Sequence, residues 1–236
     1  MLAVYRRELR GYFFSPIAYV FMGFFLIVSG IIFAVQLYNY SAEYNGMLST
    51  LSFLFLLVVP ILTMRLLSEE RKNKTDQLLL TSPLSLTGIV LGKFLAACTV
   101  FLVTLLITAI YPIVLFIFGT PSIVEILCGY LGFFLLGCSL IAVGVFISAL
   151  TENQVTSAVI SFGVLLLMYL GGGFLGQLIG VPWISSVLEW FSVFERLQPF
   201  TQSVLSVTQI VYYLSFAAVF LFLTVRAIER RRWSEV

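Results

Sequence analysis

Charge is scarce in this sequence and histidine is missing. Asp, Glu, Lys and Arg make up 10% of the 236 residues and there is no histidine, against roughly 25% charged residues in an ordinary soluble domain. So few charges cannot coat a water-facing surface, which excludes a soluble enzyme and a free-standing nucleic-acid binder. Without histidine there is no zinc-protease pair and no Ser-His or Cys-His couple. The three cysteines, Cys98, Cys128 and Cys138, lie in or beside apolar runs without metal-ligand spacing, and they read as small buried hydrophobes. The phosphate-cradling pattern G-x-x-x-x-G-K-[ST] is also missing. Its nearest approach, Gly88-Ile89-Val90-Leu91-Gly92-Lys93-Phe94, is one residue short and ends in Phe. The reading is a chain with no catalytic residue, no metal site and no ATPase motif, so any energy input comes from another chain.

Apolar residues are abundant: 61% of the chain is hydrophobic, with a mean hydropathy of +1.09. A helix crosses a hydrocarbon core with roughly 20 apolar residues. Six stretches free of Asp, Glu, Lys and Arg fit: Ile17–Leu37, Leu48–Met64, Phe94–Phe118, Ile126–Leu150, Val155–Ile179 and Val207–Val225. The second is short and has room to extend back into Asn45–Met47. The fourth and fifth are separated only by Thr151–Gln154, a tight helical hairpin. Continuous runs without period-two alternation exclude a β-barrel, and the first run is too long for a removable signal peptide. The expected fold is therefore an all-α membrane protein of six transmembrane helices in one domain, residues 1–236.

Lys and Arg in short loops orient such a chain. Arg6, Arg7 and Arg10 precede the first span; Arg65, Arg71, Lys72, Lys74 and Lys93 lie between the second and third; Arg226, Arg230, Arg231 and Arg232 follow the sixth. That places 12 of the 13 basic residues on one side, with Arg196 alone on the other. Both termini are expected in the cytoplasm.

Residues 1–16 are amphipathic. Leu2, Tyr5, Leu9, Tyr12 and Phe13 share one helical face, Arg6, Arg7 and Arg10 a neighbouring one. The helix is expected to lie in the membrane plane with its arginines at anionic headgroups, until Ser15-Pro16 breaks it. Two readings fit it: a simple anchor, or an elbow that levers the first span. Residues 65–93 carry mixed charge, with Leu78, Leu79 and Leu80 where a solvated loop would be polar. Thr75 can cap a short helix that Pro83 stops. This is a docking element or a solvated loop whose leucines touch lipid. On the other side, residues 181–206 repeat apolar residues at helical spacing, with Trp183 and Trp190 suited to a headgroup layer and Phe191 and Phe194 among the aromatics. The segment is too apolar for a free loop and too short for a span pair, so a half-inserted outer hairpin is expected. Residues 226–236 form a basic tail. Ser29, Gln36, Thr99, Thr104, Thr108, Ser139, Ser148, Ser157 and Ser161 lie within the spans and read mainly as interhelical hydrogen-bonding groups.

The run Glu69-Glu70-Arg71-Lys72-Asn73-Lys74-Thr75-Asp76-Gln77-Leu78-Leu79-Leu80-Thr81-Ser82-Pro83 resembles the E-E-basic-x-x-G-T-x-E-L-L-L-T-S-P segment of type-2 ABC exporter permeases. Lys74 stands where that pattern has Gly, and Gln77 where it has Glu. Ile147-Ser148-Ala149-Leu150-Thr151-Glu152-Asn153-Gln154 and Ile89–Phe94 extend the likeness, which is nearest to gliding-motility-type and nitrous-oxide-reductase-maturation-type permeases. The resemblance implies a half-transporter of a bacterial inner membrane. It would pair with a second permease subunit, identical or different, and dock a cytoplasmic ATPase that binds ATP and Mg. Coupling would run through Glu69, Glu70, Arg71, Thr75, Asp76, Gln77, Leu78, Leu79, Ser82 and Pro83, and through Thr151, Glu152, Asn153 and Gln154 at the turn. The elbow helix (Arg6, Arg7, Arg10) would help tilt the spans, and the outer hairpin (Trp183, Trp190, Phe191, Phe194) would close the path. Gliding-type systems add a membrane-anchored extracytoplasmic auxiliary protein. Export of a substrate and relay of motion to such a partner without transport are both consistent with these residues. No charged ring or filter motif supports a passive channel.

Overall fold

The computed structural model describes residues 1–38, 44–73, 85–118, 122–171, 192–202 and 205–234. Among them every regular element is helical. Helix α1 (Leu2–Phe14) ends where Ser15 turns extended, and α2 (Pro16–Tyr38) begins on the proline. A proline in the first helical position loses nothing, since its missing N–H would be unsatisfied there anyway. The Ser15 hydroxyl accepts from the Ile17 amide at 3.3 Å, so one Ser-Pro pair both stops α1 and starts the first span.

The second apolar stretch is broken. Helices α3 (Tyr44–Ser52) and α4 (Phe55–Thr63) meet at 55°, and α3 does extend back past Asn45 as the short run required. Just before the break, Thr50 donates to the Gly46 carbonyl at 3.0 Å and Ser52 to the Ser49 carbonyl at 2.6 Å. Such back-bonding competes for the helical carbonyls and bends the chain.

Helix α5 (Ser68–Lys72) is short and charged. The third span starts earlier than the charge pattern suggests: α6 runs Leu86–Ile107, with the Ser85 hydroxyl accepting from the Gly88 amide at 3.3 Å. This N-cap puts Lys93 two turns inside the helix, where the sequence alone placed it at the end of a loop. Helix α7 (Ile110–Phe118) continues α6 past an irregular step at Thr108–Ala109. Pro112 follows, and it cannot donate to the residue 108 carbonyl.

Helix α8 (Ile123–Leu150) is the hub, packed against α4, α6, α9 (Gln154–Leu170) and α11 (Val207–Ser234). The Thr151–Asn153 turn ends in an Asn153 cap whose side chain accepts from Val155 at 3.0 Å. Among the described residues there are thus four helices long and apolar enough to cross a membrane, five if α3 and α4 form one bent span. The stretch expected at Val155–Ile179 is described only as far as Gly171, and α9 is 17 residues long. At the end of the bundle away from Arg71, a 3-10 turn (Glu195–Leu197) and α10 (Gln198–Thr201) close over α8.

In lipid the hydrophobic effect does not press helices together, so close packing must do it. Phe25 of α2, Phe55 of α4, Phe101 of α6 and Phe133 of α8 interlock, with ring centroids 4.7 Å apart for Phe55–Phe133 and 5.4 Å for Phe55–Phe101. Gly137 and Gly144 let the Phe101 ring and the Thr63 side chain lie directly on the α8 backbone. Span hydroxyls tie the helices as expected at Ser29, which meets the Tyr111 hydroxyl at 3.0 Å, and at Ser139, which donates to the Tyr213 carbonyl at 3.1 Å. Thr104 bonds instead within its own helix, and the hydroxyls of Ser157 and Ser161 lie buried without a partner among the described residues.

A methyl at Gly137 would strike the Phe101 ring, whereas one at Gly163 of α9 meets nothing within 4 Å. Gly137→Ala is expected to destabilise the detergent-solubilised chain by about 1–3 kcal/mol, the usual cost of overpacking. Gly163→Ala should be neutral or stabilising by up to about 1 kcal/mol, the helix preference of Ala over Gly. Thermal unfolding of the two variants measures the difference.

Candidate functional site at the basic end of the bundle

The helix ends near Arg71 are joined by a cluster of ionic and hydrogen-bonding groups. Its centre is Lys93 of α6, whose side chain is 1% exposed. The Lys93 ammonium donates to the Leu66 carbonyl at 2.6 Å and lies 3.1 Å from Glu8 Oε1 and 2.9 Å from Glu70 Oε1. The ammonium thus hydrogen-bonds to the Leu66 carbonyl and Glu8 and forms an ion pair with Glu70, three partners on three different segments. Arg7 then bridges the same two carboxylates, at 2.7 Å from Glu8 and 2.6 Å from Glu70. Two cations face two anions, so the cluster is neutral although partly buried.

Three sequence features allow it. Alternation of Arg7 and Glu8 on α1 presents both signs to one neighbour. Glycine at 92 lets the α1 backbone come against α6: a methyl there would lie 3.1 Å from Val4 Cβ and 3.2 Å from the Met1 carbonyl oxygen and Tyr5 nitrogen. The Tyr5 hydroxyl meets Thr99 Oγ1 at 3.0 Å two turns further along α6. The amphipathic N-terminal helix is therefore fastened to the third span, through the face that carries Tyr5 and Tyr12.

Its far end is fastened to the second span. Tyr12, fully buried, donates to the Leu62 carbonyl at 2.7 Å. Burial pushes this phenol well above its ordinary value, so it stays a neutral donor. Arg65 caps the helix end, donating to the Gly11 carbonyl and to Ser15 Oγ, each at 2.9 Å, with its guanidinium 5.0 Å above the Tyr12 ring. A cation at a helix C-terminus satisfies orphan carbonyls and complements the helix dipole.

A second joint lies alongside. Arg71 pairs with Glu152 and donates to the Leu150 carbonyl at 3.2 Å. Ser148 Oγ accepts from the amides of Leu67 and Ser68 at 3.1 and 3.2 Å. Helix α5 is thereby held to the turn between α8 and α9.

Of the residues expected to act in coupling, Glu70 and Arg71 thus turn inward onto partners in this chain. Glu69 is half-buried on α5. Glu152 pairs with Arg71, Thr151 is buried and donates to the Ile147 carbonyl at 3.1 Å, and Asn153 caps α9, of which Gln154 is the first residue. Arg7 joins the cluster, while Arg6 and Arg10 are exposed. Phe194 is buried with its ring 5.1 Å from Tyr169 of α9. Thr75, Asp76, Gln77, Leu78, Leu79, Ser82, Pro83, Trp183, Trp190 and Phe191 lie outside the described residues. Sequence reasoning missed Glu8 and Lys93 as members of the cluster. The available signal was the lone Glu8 among arginines, together with Gly92-Lys93 behind a Ser cap.

Comparison with known proteins agrees with this architecture. The sequence model of the ABC-2 family transporter proteins matches residues 32–228, and the chain belongs to that family. It is therefore the multi-pass membrane component of an ABC transporter, and membership implies a partner ATP-binding subunit. Gliding-motility or nitrous-oxide-maturation kinship is a finer statement than this match makes. A search of curated proteins finds no match.

Burial acts to raise the Glu8 carboxyl, but the charges and hydrogen bonds of Lys93 and Arg7 together outweigh it and hold Glu8 below its ordinary value of 4.5. A carboxylate lowered on folding contributes stability above its unfolded pKa, and that contribution is lost as pH falls through the folded value. Acid loss of stability below about pH 4.5 should accordingly be shallower in Glu8→Gln than in the parent chain, as read from unfolding midpoints across pH. Lys93→Met should cost about 3–5 kcal/mol, because it leaves two part-buried carboxylates to share the single cation Arg7 and the Leu66 carbonyl without its donor. Glu8→Gln or Glu70→Gln alone should cost less, since each cation keeps a second partner.

Proposed function

We infer that this chain is the permease subunit of an ABC exporter, forming the membrane path and coupling a separate cytoplasmic ATPase to export of a substrate. The observation that carries the reading beyond family membership is the joint at the basic end. The N-terminal helix, α5, the start of α6 and the α8–α9 turn are tied together, and α5 and α6 flank in sequence residues 74–84, which resemble the family's coupling segment. In this reading the ATPase docks on Thr75–Thr81 through Leu78 and Leu79, with Asp76, Gln77, Ser82 and Pro83 shaping the helix and Glu69 flanking it. Nucleotide-driven closure then pushes on α5. Through Glu70 and Arg71 the push reaches the elbow helix, the third span and the 151–154 turn as one displacement.

The twelve basic residues on one side support a cytoplasmic location for this end and for both termini of a protein in the bacterial inner membrane. A cavity of about 370 Å³ between α2, α4 and α9, walled by Phe24, Leu57, Ile61, Val159 and Phe162, supports pairing with a second permease subunit across spans one, two and five. Several of its walls are exposed, Val159 by 65% and Leu57 by 44%. Trp183, Trp190, Phe191 and Phe194 would close the path on the outer side. A second reading, relay of ATP-driven motion to an extracytoplasmic partner without solute movement, draws on the same rigid joint.

Binding, hydrolysis and flux measurements test this. A P-loop ATPase should co-purify with the chain, and Leu79→Asp should abolish its stimulated ATP hydrolysis; retention of both would end the docking claim. Arg71 and Glu152 are partly exposed, so their pairing is worth about 0–1 kcal/mol. Arg71→Glu should leave the melting temperature nearly unchanged but lower stimulated hydrolysis, and adding Glu152→Arg should restore part of it. In vesicles, ATP-dependent solute flux by the complex supports export, while partner remodelling without flux supports relay.

A further inference from the structure

The antiparallel pair α6 and α11 encloses a second cavity of about 370 Å³ that the coupling joint does not use. Its walls are Val90 and Leu91 of α6 and Leu221, Phe222 and Val225 of α11. The polar lining is confined to one end, where Thr87 in the first turn of α6 faces Arg226 and Glu229 of α11. Phe222 is 56% exposed and Leu91 37%, so the cavity opens sideways from the bundle rather than into its core. Arg226 is held in place by Glu229 at 2.7 Å and by the Phe222 ring, 5.0 Å below its guanidinium. Its side chain remains 62% exposed, and a guanidinium offers five donors in a planar fork that matches phosphate.

We propose that this cavity is a binding site for one anionic membrane phospholipid, its acyl chain lying along Leu221, Phe222, Val225, Val90 and Leu91 and its phosphate held by Arg226. Two observations select this occupant. The cavity lies between two membrane-spanning helices and opens laterally, where the neighbouring molecule is lipid. The C-terminal part of α11 carries Arg226 and Arg230 against Glu229, and residues 226–236 hold a formal excess of two positive charges in sequence. A basic cluster at the mouth of a groove between spans favours an anionic headgroup over a zwitterionic one, whose ammonium it repels. Thr87 adds a hydroxyl at the same level, able to donate to a headgroup oxygen. The bound lipid brings the third span and the end of the sixth into register without using Lys93, Glu8 or Glu70. The site is therefore independent of ATPase coupling, and the loss of either function leaves the other standing.

The test is native mass spectrometry of the full-length chain. It is reconstituted in vesicles of equal parts phosphatidylglycerol and phosphatidylcholine, then extracted into detergent. The parent chain should retain phosphatidylglycerol in preference to phosphatidylcholine. Arg226→Gln should reduce that retention about fivefold, the equivalent of the roughly 1 kcal/mol that one basic side chain contributes at an anionic surface. Glu229→Gln should increase it. Ala218 of α11 also lines the cavity; Ala218→Trp, which fills it while keeping every charge, should abolish retention, and should that variant fail to fold, the exposed Arg226 and Glu229 variants carry the test. Equal retention of the two lipids, or a parent and Arg226→Gln chain that behave alike, overturns the proposal. So does a loss of dimers on Ala218→Trp without a change in bound lipid, which would assign the face to a second copy of the chain.

Discussion

One buried ammonium holds the basic end of this protein together. Lys93 sits within a membrane-spanning helix at 1% exposure, where an unpaired charge would be expensive to keep. It is tolerated because the Leu66 carbonyl and Glu8 accept hydrogen bonds from it and Glu70 pairs with its charge. Those partners come from the end of span two, the N-terminal helix and α5, so satisfying one charge fixes three segments. Replacing such a cluster by apolar side chains could stabilise the fold equally well. What an apolar substitute would lack is direction: the ionic cluster admits only one register of α1 on α6.

The rest of the bundle is held by different means. The aromatic interlock of Phe25, Phe55, Phe101 and Phe133 and the glycine contacts along α8 are packing devices, suited to a solvent in which apolar surface gains nothing by association. The midsection therefore has no charge whose movement could store or transmit work. Membership of the family implies the remaining part, a partner ATP-binding subunit.

Much of this was legible in the sequence because it depends on composition and run length. The absence of charge from long apolar stretches yields the spans, and Ser15-Pro16 and Thr151–Gln154 yield the first break and the α8–α9 turn. Lys93 was not legible, because a charge at the edge of an apolar run ordinarily marks the end of a span. Only the Ser85 cap and the Gly92 contact with α1 show that the helix has already begun. The inward turn of Glu70 and Arg71 was equally hidden: a mixed-charge run reads as a solvated surface until its partners, 63 and 81 residues away in sequence at Arg7 and Glu152, are brought alongside. The bend in span two rests on hydroxyl back-bonds that leave no periodic trace.

The central claim is that the elbow helix and α5 move as one body. Spin labels at the exposed positions Arg6→Cys and Lys72→Cys test it directly, in a background with Cys98, Cys128 and Cys138 replaced by alanine and with the partner ATPase bound. The distance between the labels should stay the same in the nucleotide-free, ATP-bound and ADP-bound complexes, and it should broaden only when Lys93→Met is added. A distance that changes with nucleotide in the parent chain, or one that stays sharp in Lys93→Met, would contradict the account.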